Sequence, residues 1–93
     1  KDYDTLETQY LIYISKNPTD YGTRAEMSRI YLETNRFKEA WIIANSLPNS
    51  SEKKELQKTL NSAILDVDSS IQKEILNRYP QLLLPEVKAK IQN

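Results

Sequence analysis

The residues nearest to a chemical motif are Asp66-Val67-Asp68-Ser69-Ser70. Oxygen-bearing side chains at alternate positions open a calcium loop in this way. Such a loop would need Gly where Ile71 stands and Glu where Asn77 stands, so the stretch reads as a helix-capping turn. The other acids and bases are Asp, Glu, Lys and Tyr. No two carboxylates lie within an apolar pattern at a spacing that would drive one pKa upward. Ser69 and Ser70 have no His or partnered Lys to activate them. The chain of 93 residues contains no His and no Cys. The usual general base, the usual metal ligand and the thiol nucleophile are therefore missing. A single Gly excludes a P-loop or a dinucleotide fingerprint. The expectation is a non-enzymatic chain with no cofactor and no metal site.

Charge narrows the partners. Thirteen basic residues balance thirteen acidic ones, whereas a nucleic-acid footprint needs a basic excess. Lys53, Lys54 and Lys58 cluster, but Glu52 and Glu55 interleave with them, and Glu55 and Lys58 have pairing distance on a helix. No nucleic-acid partner is expected. The longest apolar runs, such as 10–14 and 41–44, fall far short of the ~18 residues of a membrane span. Membrane insertion is not expected, and the compartment stays open. The chain begins at Lys rather than Met, which reads as a piece of a longer protein. Asn49-Ser50-Ser51 matches a glycosylation acceptor, a triplet common by chance.

The remaining chemistry is recognition by aromatic and apolar surface, and helices must position it. Helix formers dominate, and Pro and Asn punctuate the chain into about six segments. The first runs from Asp4 to Lys16, with Asp4 and Glu7 at capping-box spacing. Tyr3, Leu6, Tyr10, Tyr13 and Ile14 fall at helical spacing on one face. The run 10–14 could be a strand by propensity, but the 3.6 period extends beyond it, so helix is preferred. Asn17-Pro18 stops it. The second segment starts at Asp20 or at Thr23, with Glu26 as a capping partner of Thr23. It ends at Thr34, where Asn35 suits a left-handed stop. The third runs from Phe37 to Leu47, with Phe37, Ala40, Trp41, Ile43, Ala44 and Leu47 on its stripe. The fourth runs from about Ser51 to Leu65, with Asn49 and Glu52 at capping-box spacing and a solvated Glu/Lys start. Its stripe is Leu56, Leu60, Ala63, Ile64 and Val67. The fifth runs from Ser70 to Tyr79, with Ser69 and Gln72 marking its start. The sixth begins near Leu84, with Pro85 at a first-turn position. The fold class is therefore all-α: five or six short antiparallel helices in one helical domain over 1–93.

The stretch from Met27 to Ala40 resembles the centre of a tetratricopeptide repeat. Met27, Ser28, Tyr31, Asn35, Phe37, Glu39 and Ala40 match that pattern in order, and Ala44 and Leu47 fall where the second helix packs. Pro18 lies 22 residues before Ala40, the family's spacing from turn to second-helix Ala. Leu6, Tyr10 and Tyr13 then take the packed face of a preceding second helix. The resemblance covers residues 4–47, about half the chain. It departs where Arg24 replaces the consensus Trp and Asn35 the turn Gly, and the 34-residue period fails after Pro48. Residues 50–92 read as divergent capping helices of an α-hairpin stack.

The resemblance implies a protein-interaction or scaffold module that binds a protein or peptide. Its concave face would expose Gly22, Ala25, Arg29 and Glu33. Ala25 and Arg29 stand where some members place a carboxylate-clamping Lys and Asn, so that clamp is not supported. An Arg29–Glu33 surface pair is expected. Met27, Ser28, Tyr31, Phe37, Ala40, Trp41, Ala44 and Leu47 would pack the repeat, with Tyr10, Tyr13 and Tyr31 as core residues whose hydroxyls reach the rim. The rival expectation is a structural or homo-oligomerising helical domain of a larger, enzymatic protein.

Overall fold

The computed structural model describes residues 3–92. Six α-helices and one 3-10 turn make up the fold, with no strand among the described residues: α1 (Tyr3–Lys16), α2 (Tyr21–Glu33), α3 (Phe37–Ser46), α4 (Ser51–Ile64), α5 (Ser69–Arg78), the 3-10 turn Pro80–Leu82, and α6 (Pro85–Gln92). The chain is all-α, and 10–14 is helix. No helix among the described residues is long and apolar enough to cross a membrane. Contacts divide the chain into two compact units, one running to Leu56 and the other from Gln57.

In the first unit, α2 and α3 form an antiparallel hairpin. Arg24 bonds to Ser46, and Ser28 bonds to Ala40, so moving forward along α2 moves backward along α3. The decisive contact is Ser28. Its Oγ donates to the Ala40 carbonyl at 2.7 Å, and both residues are 0% exposed. Two small side chains at the crossing let the backbones approach, and the one hydroxyl is satisfied. Asn35 turns the corner with φ 63, in the left-handed region that Asn tolerates. Asp20 caps α2 by accepting from Thr23 N–H at 2.7 Å; Thr23 is not the cap. That bond holds the Asp20 carboxyl below its ordinary range.

Helix α3 is buried from Ala40 through Ala44 without a break. A helix buried on all sides must be apolar on all sides, and Ile42 therefore belongs to the core beside Ala40, Trp41, Ile43, Ala44 and Leu47. Its C-terminal carbonyls are taken by two cations. Arg24 donates to Ser46 O at 2.9 Å and to Ser46 Oγ at 3.1 Å. Lys53 Nζ donates to Leu47 O at 2.8 Å. Both satisfy orphan acceptors and oppose the helix dipole. Arg24, which stands where the repeat pattern has Trp, is nonetheless buried.

Several capping expectations are corrected. Helix α1 begins at Tyr3, so Asp4 sits in the first turn, and the cap position falls outside the described residues. At α4 the cap is Ser50, whose Oγ accepts from Lys53 N–H at 3.2 Å. Ser lies one residue closer to the first turn than Asn49, and that places its short side chain in reach. At α5, Asp68 holds the cap position with no side-chain cap bond. Gln72 instead reaches back to Ile64 O at 2.8 Å.

The second unit is tied by a polar residue. Asn61 is buried among Leu60, Ile64, Ile75, Tyr79, Leu82 and Leu83, all core residues. Its Nδ2 donates to Gln57 O and Leu82 O, and its Oδ1 accepts from Leu84 N–H at 2.8 Å. Gln57 adds a bond to Leu82 O at 2.8 Å. These bonds fasten the 80–84 connection by taking the Leu82 carbonyl and the Leu84 N–H. Ala63 and Val67, expected on the apolar stripe, are only half-buried.

Three substitutions test this packing by chemical denaturation. Ser28→Ala loses one buried hydrogen bond and costs about 1 kcal/mol. Ser28→Leu forces the helices apart and costs about 1–3 kcal/mol or more. Asn61→Ala leaves the half-buried Leu84 N–H without its acceptor and costs roughly 1–3 kcal/mol, with the loss read in the second unit by amide exchange.

Candidate functional site

Helix α2 faces two hollows, one on each flank. The first lies between α1 and α2 and measures about 390 Å³. Leu6, Gln9, Tyr10 and Tyr13 line it from α1, Met27 and Tyr31 from α2, and Arg36 from the turn. Its wall is an aromatic ladder. Tyr10 and Tyr31 meet edge to face, with ring centroids 5.9 Å apart, a favoured geometry for such rings. The Arg36 guanidinium lies over the Tyr31 ring at 4.8 Å. Glu39 holds that guanidinium through bonds of 3.0 Å to Nε and 2.9 Å to Nη2. Burial first, and then the hydrogen bond with Tyr31, push the Tyr10 phenol well above its ordinary pKa.

The second hollow measures about 290 Å³. Gly22, Ala25 and Arg29 line it from α2, and Ser51, Glu52 and Glu55 from the start of α4. Three of the four residues expected on the concave face are thus brought together. Glu33 is exposed further along α2 and does not line the hollow. Ala25 was expected to be exposed and is not: at 1% exposure it forms the floor. Its face of α2 turns toward α3 beside Arg24 and Ser28, and that rotation buries it. Arg29 pairs with Glu26 at 3.5 Å rather than with Glu33.

Residues of α4 complete this hollow, and sequence patterning missed them. Glu52 and Glu55 belong to the Glu/Lys-rich turns that read as a solvated face. The signal that could have found them is Lys53: a cation between two acids, three residues past a capping Ser, turned toward the end of α3. With Lys53 turned that way, Glu52 and Glu55 take the other side. The amides at both helix starts already have acceptors in Asp20 and Ser50. The hollow therefore presents carboxylates rather than open amides.

Tyr13 also departs from expectation. It is 47% exposed, at the lip of the first hollow rather than in the core. Tyr10 and Tyr31 are half-buried. Leu6, Ser28, Ala40, Trp41, Ala44 and Leu47 are buried, while Met27 and Phe37 are half-buried. Asp66 and Asp68 lie in the turn between α4 and α5. Among the described residues, no group of three or more His, Cys, Asp or Glu is placed to hold a metal ion.

Comparison with protein-family models, curated proteins and solved structures returns no match to this chain.

The Tyr10 environment has a measurable consequence. Burial and the Tyr31 bond favour the neutral phenol, so their contribution to stability is complete below the unfolded value of ~10. It is lost as pH rises above that value toward the raised folded pKa. Spectrophotometric titration should show a late Tyr ionisation that Tyr10→Phe diminishes.

Proposed function

We propose that the chain is a non-enzymatic protein-interaction module whose first unit is a tetratricopeptide-like hairpin, with the outward face of α2 as its binding face. One observation carries the reading. α2 is clamped to α3 on one side by Ser28 and Arg24. On the adjoining face Gly22 and Arg29 flank a hollow floored by the buried Ala25 and walled by Ser51, Glu52 and Glu55. A rigid helix pair that leaves a shaped, polar-rimmed recess is what peptide recognition requires. The three-residue turn through Asn35, and the small-residue crossing at Ser28 and Ala40, support the repeat-like reading of 4–47.

The chemistry of the recess selects its ligand. Arg29 already leans on Glu26. Glu52 and Glu55 add two carboxylates, so the recess as a whole is acidic. It suits a peptide that projects a Lys or Arg side chain, with Arg29 positioned to meet an acidic neighbour or carbonyl on the same peptide. Gly22 leaves room at the mouth. A Cβ built there would meet only Asp20 Oδ1, at 3.5 Å, an ordinary contact.

Amide chemical-shift mapping with short peptides tests this. Peptides carrying a central Lys or Arg should shift Gly22, Arg29, Glu52 and Glu55, and their acidic counterparts should not. Glu52→Lys with Glu55→Lys should weaken binding by about tenfold or more, with unchanged far-UV dichroism. Gly22→Leu, which narrows the mouth, should also weaken it. Shifts confined to other surfaces, or equal binding of acidic peptides, would reject the reading.

A further inference from the structure

The hollow between α1 and α2 takes no part in the peptide-binding reading, and its chemistry is the reverse of the recess. Its lining carries one charge, the guanidinium of Arg36, and no carboxylate. The other walls include the buried Leu6, the half-buried Met27 and three Tyr, at positions 10, 13 and 31. At about 390 Å³ it lies near the lower end of small-ligand sites. A volume of this order suits one or two rings with a short substituent. Aromatic walls favour an aromatic guest. Tyr10 and Tyr31 already meet edge to face at 5.9 Å, and a guest ring against Tyr13 and Met27 extends that array.

Arg36 decides the charge of the guest. A guanidinium has five N–H donors. Glu39 Oε2 accepts from Nε at 3.0 Å and from Nη2 at 2.9 Å, which uses one edge of the group. The other edge, Nη1 with the second Nη2 hydrogen, is a parallel pair of the kind a carboxylate accepts from. The Arg36 side chain is 54% exposed, so a guest can reach that edge. Stacking on Tyr31 at 4.8 Å and the Glu39 bonds hold the fork in one orientation, so little freedom is lost when it binds. A cationic guest would instead meet the guanidinium over the Tyr31 face that it would need for itself. Gln9 and Tyr13, exposed at the rim, bring an amide and a hydroxyl within the same lining. We infer that the α1–α2 hollow is a binding site for a small aromatic carboxylate, with its ring against Tyr10, Tyr13 and Met27 and its acid on the open edge of Arg36. This site uses neither Arg29 nor the recess beside α4, and so it stands apart from the peptide-binding reading.

N-acetyltryptophan is the probe, its primary amide the uncharged control, and amide chemical-shift mapping of the full chain the readout. The acid should bind with a Kd on the order of 0.1–1 mM. It should shift Gln9, Tyr13, Met27, Tyr31 and Arg36, and leave Gly22, Arg29, Glu52 and Glu55 in place. The amide should bind about tenfold more weakly. Arg36→Gln should bring the acid down to the level of the amide. Arg36→Lys should recover only part of the difference, because an ammonium lacks the fork. Tyr13→Ala, at an exposed position, should weaken both probes by about threefold or more, with unchanged dichroism. A pentapeptide ending in Trp should bind no tighter than the free acid, because the hollow holds little beyond the ring and its carboxylate; tighter binding would overturn the assignment to a small acid. No shift around the hollow at about 10 mM acid, equal binding of acid and amide, or an Arg36→Gln variant that keeps the preference would each overturn the proposal.

Discussion

The first unit depends on how closely α2 approaches α3, and Ser28 sets that distance. A larger side chain at this point would hold the helices apart, and an apolar small one would leave the crossing without its bond. Ser does both jobs because its hydroxyl reaches the Ala40 carbonyl within a fully buried contact. Once the crossing is close, the rest of the hairpin has little freedom. Asn35 must take a left-handed conformation to return the chain in three residues. Arg24, one turn before Ser28, is brought to the C-terminus of α3.

Burial of α3 then creates an electrostatic problem that shapes the neighbouring surface. Five consecutive buried residues lead α3 into a part-buried end, where its last carbonyls need donors from outside the helix. Arg24 and Lys53 answer from opposite directions in sequence. Lys53 can do so only if α4 starts beside the end of α3, and this position brings Ser51, Glu52 and Glu55 across from Gly22, Ala25 and Arg29. The recess is therefore a by-product of capping: its walls stand where they do because a carbonyl needed a donor.

This dependence also explains which features were legible in the sequence. Stops and turns were, because Pro18, Asn35 and Pro85 act on the residues next to them. The packed stripe of α3 was legible from its three-and-four spacing, and Ile42 was missed because a helix buried on all sides has no period to betray it. Features that depend on a distant partner were not legible. Asn61 looks like a polar interruption of a leucine stripe until Leu82 and Leu84 lie beside it. Ala25 was placed on the outward face, and a rotation of α2 set by Ser28 and Arg24 carried it inward. Glu52 and Glu55 read as solvent-facing, and Glu55 is exposed, but nothing local says that they line a hollow with Gly22 and Arg29. The 3-10 turn at Pro80–Leu82 has no periodic signature at its length.

The balanced charge gains a location from this. With thirteen charges of each sign in 93 residues, a typical exposed helix face should carry several. The interleaved Glu and Lys of α4 follow that rule. The stretch from Thr8 to Ser15 does not, although most of it is exposed. Charge withheld from an exposed face lowers the cost of removing water from it. The recess beside α2 shows the opposite pattern, with Arg29, Glu52 and Glu55 kept in its lining. The two surfaces of one unit thus differ in kind: one is lined by charges, and the other is uncharged from Thr8 to Ser15.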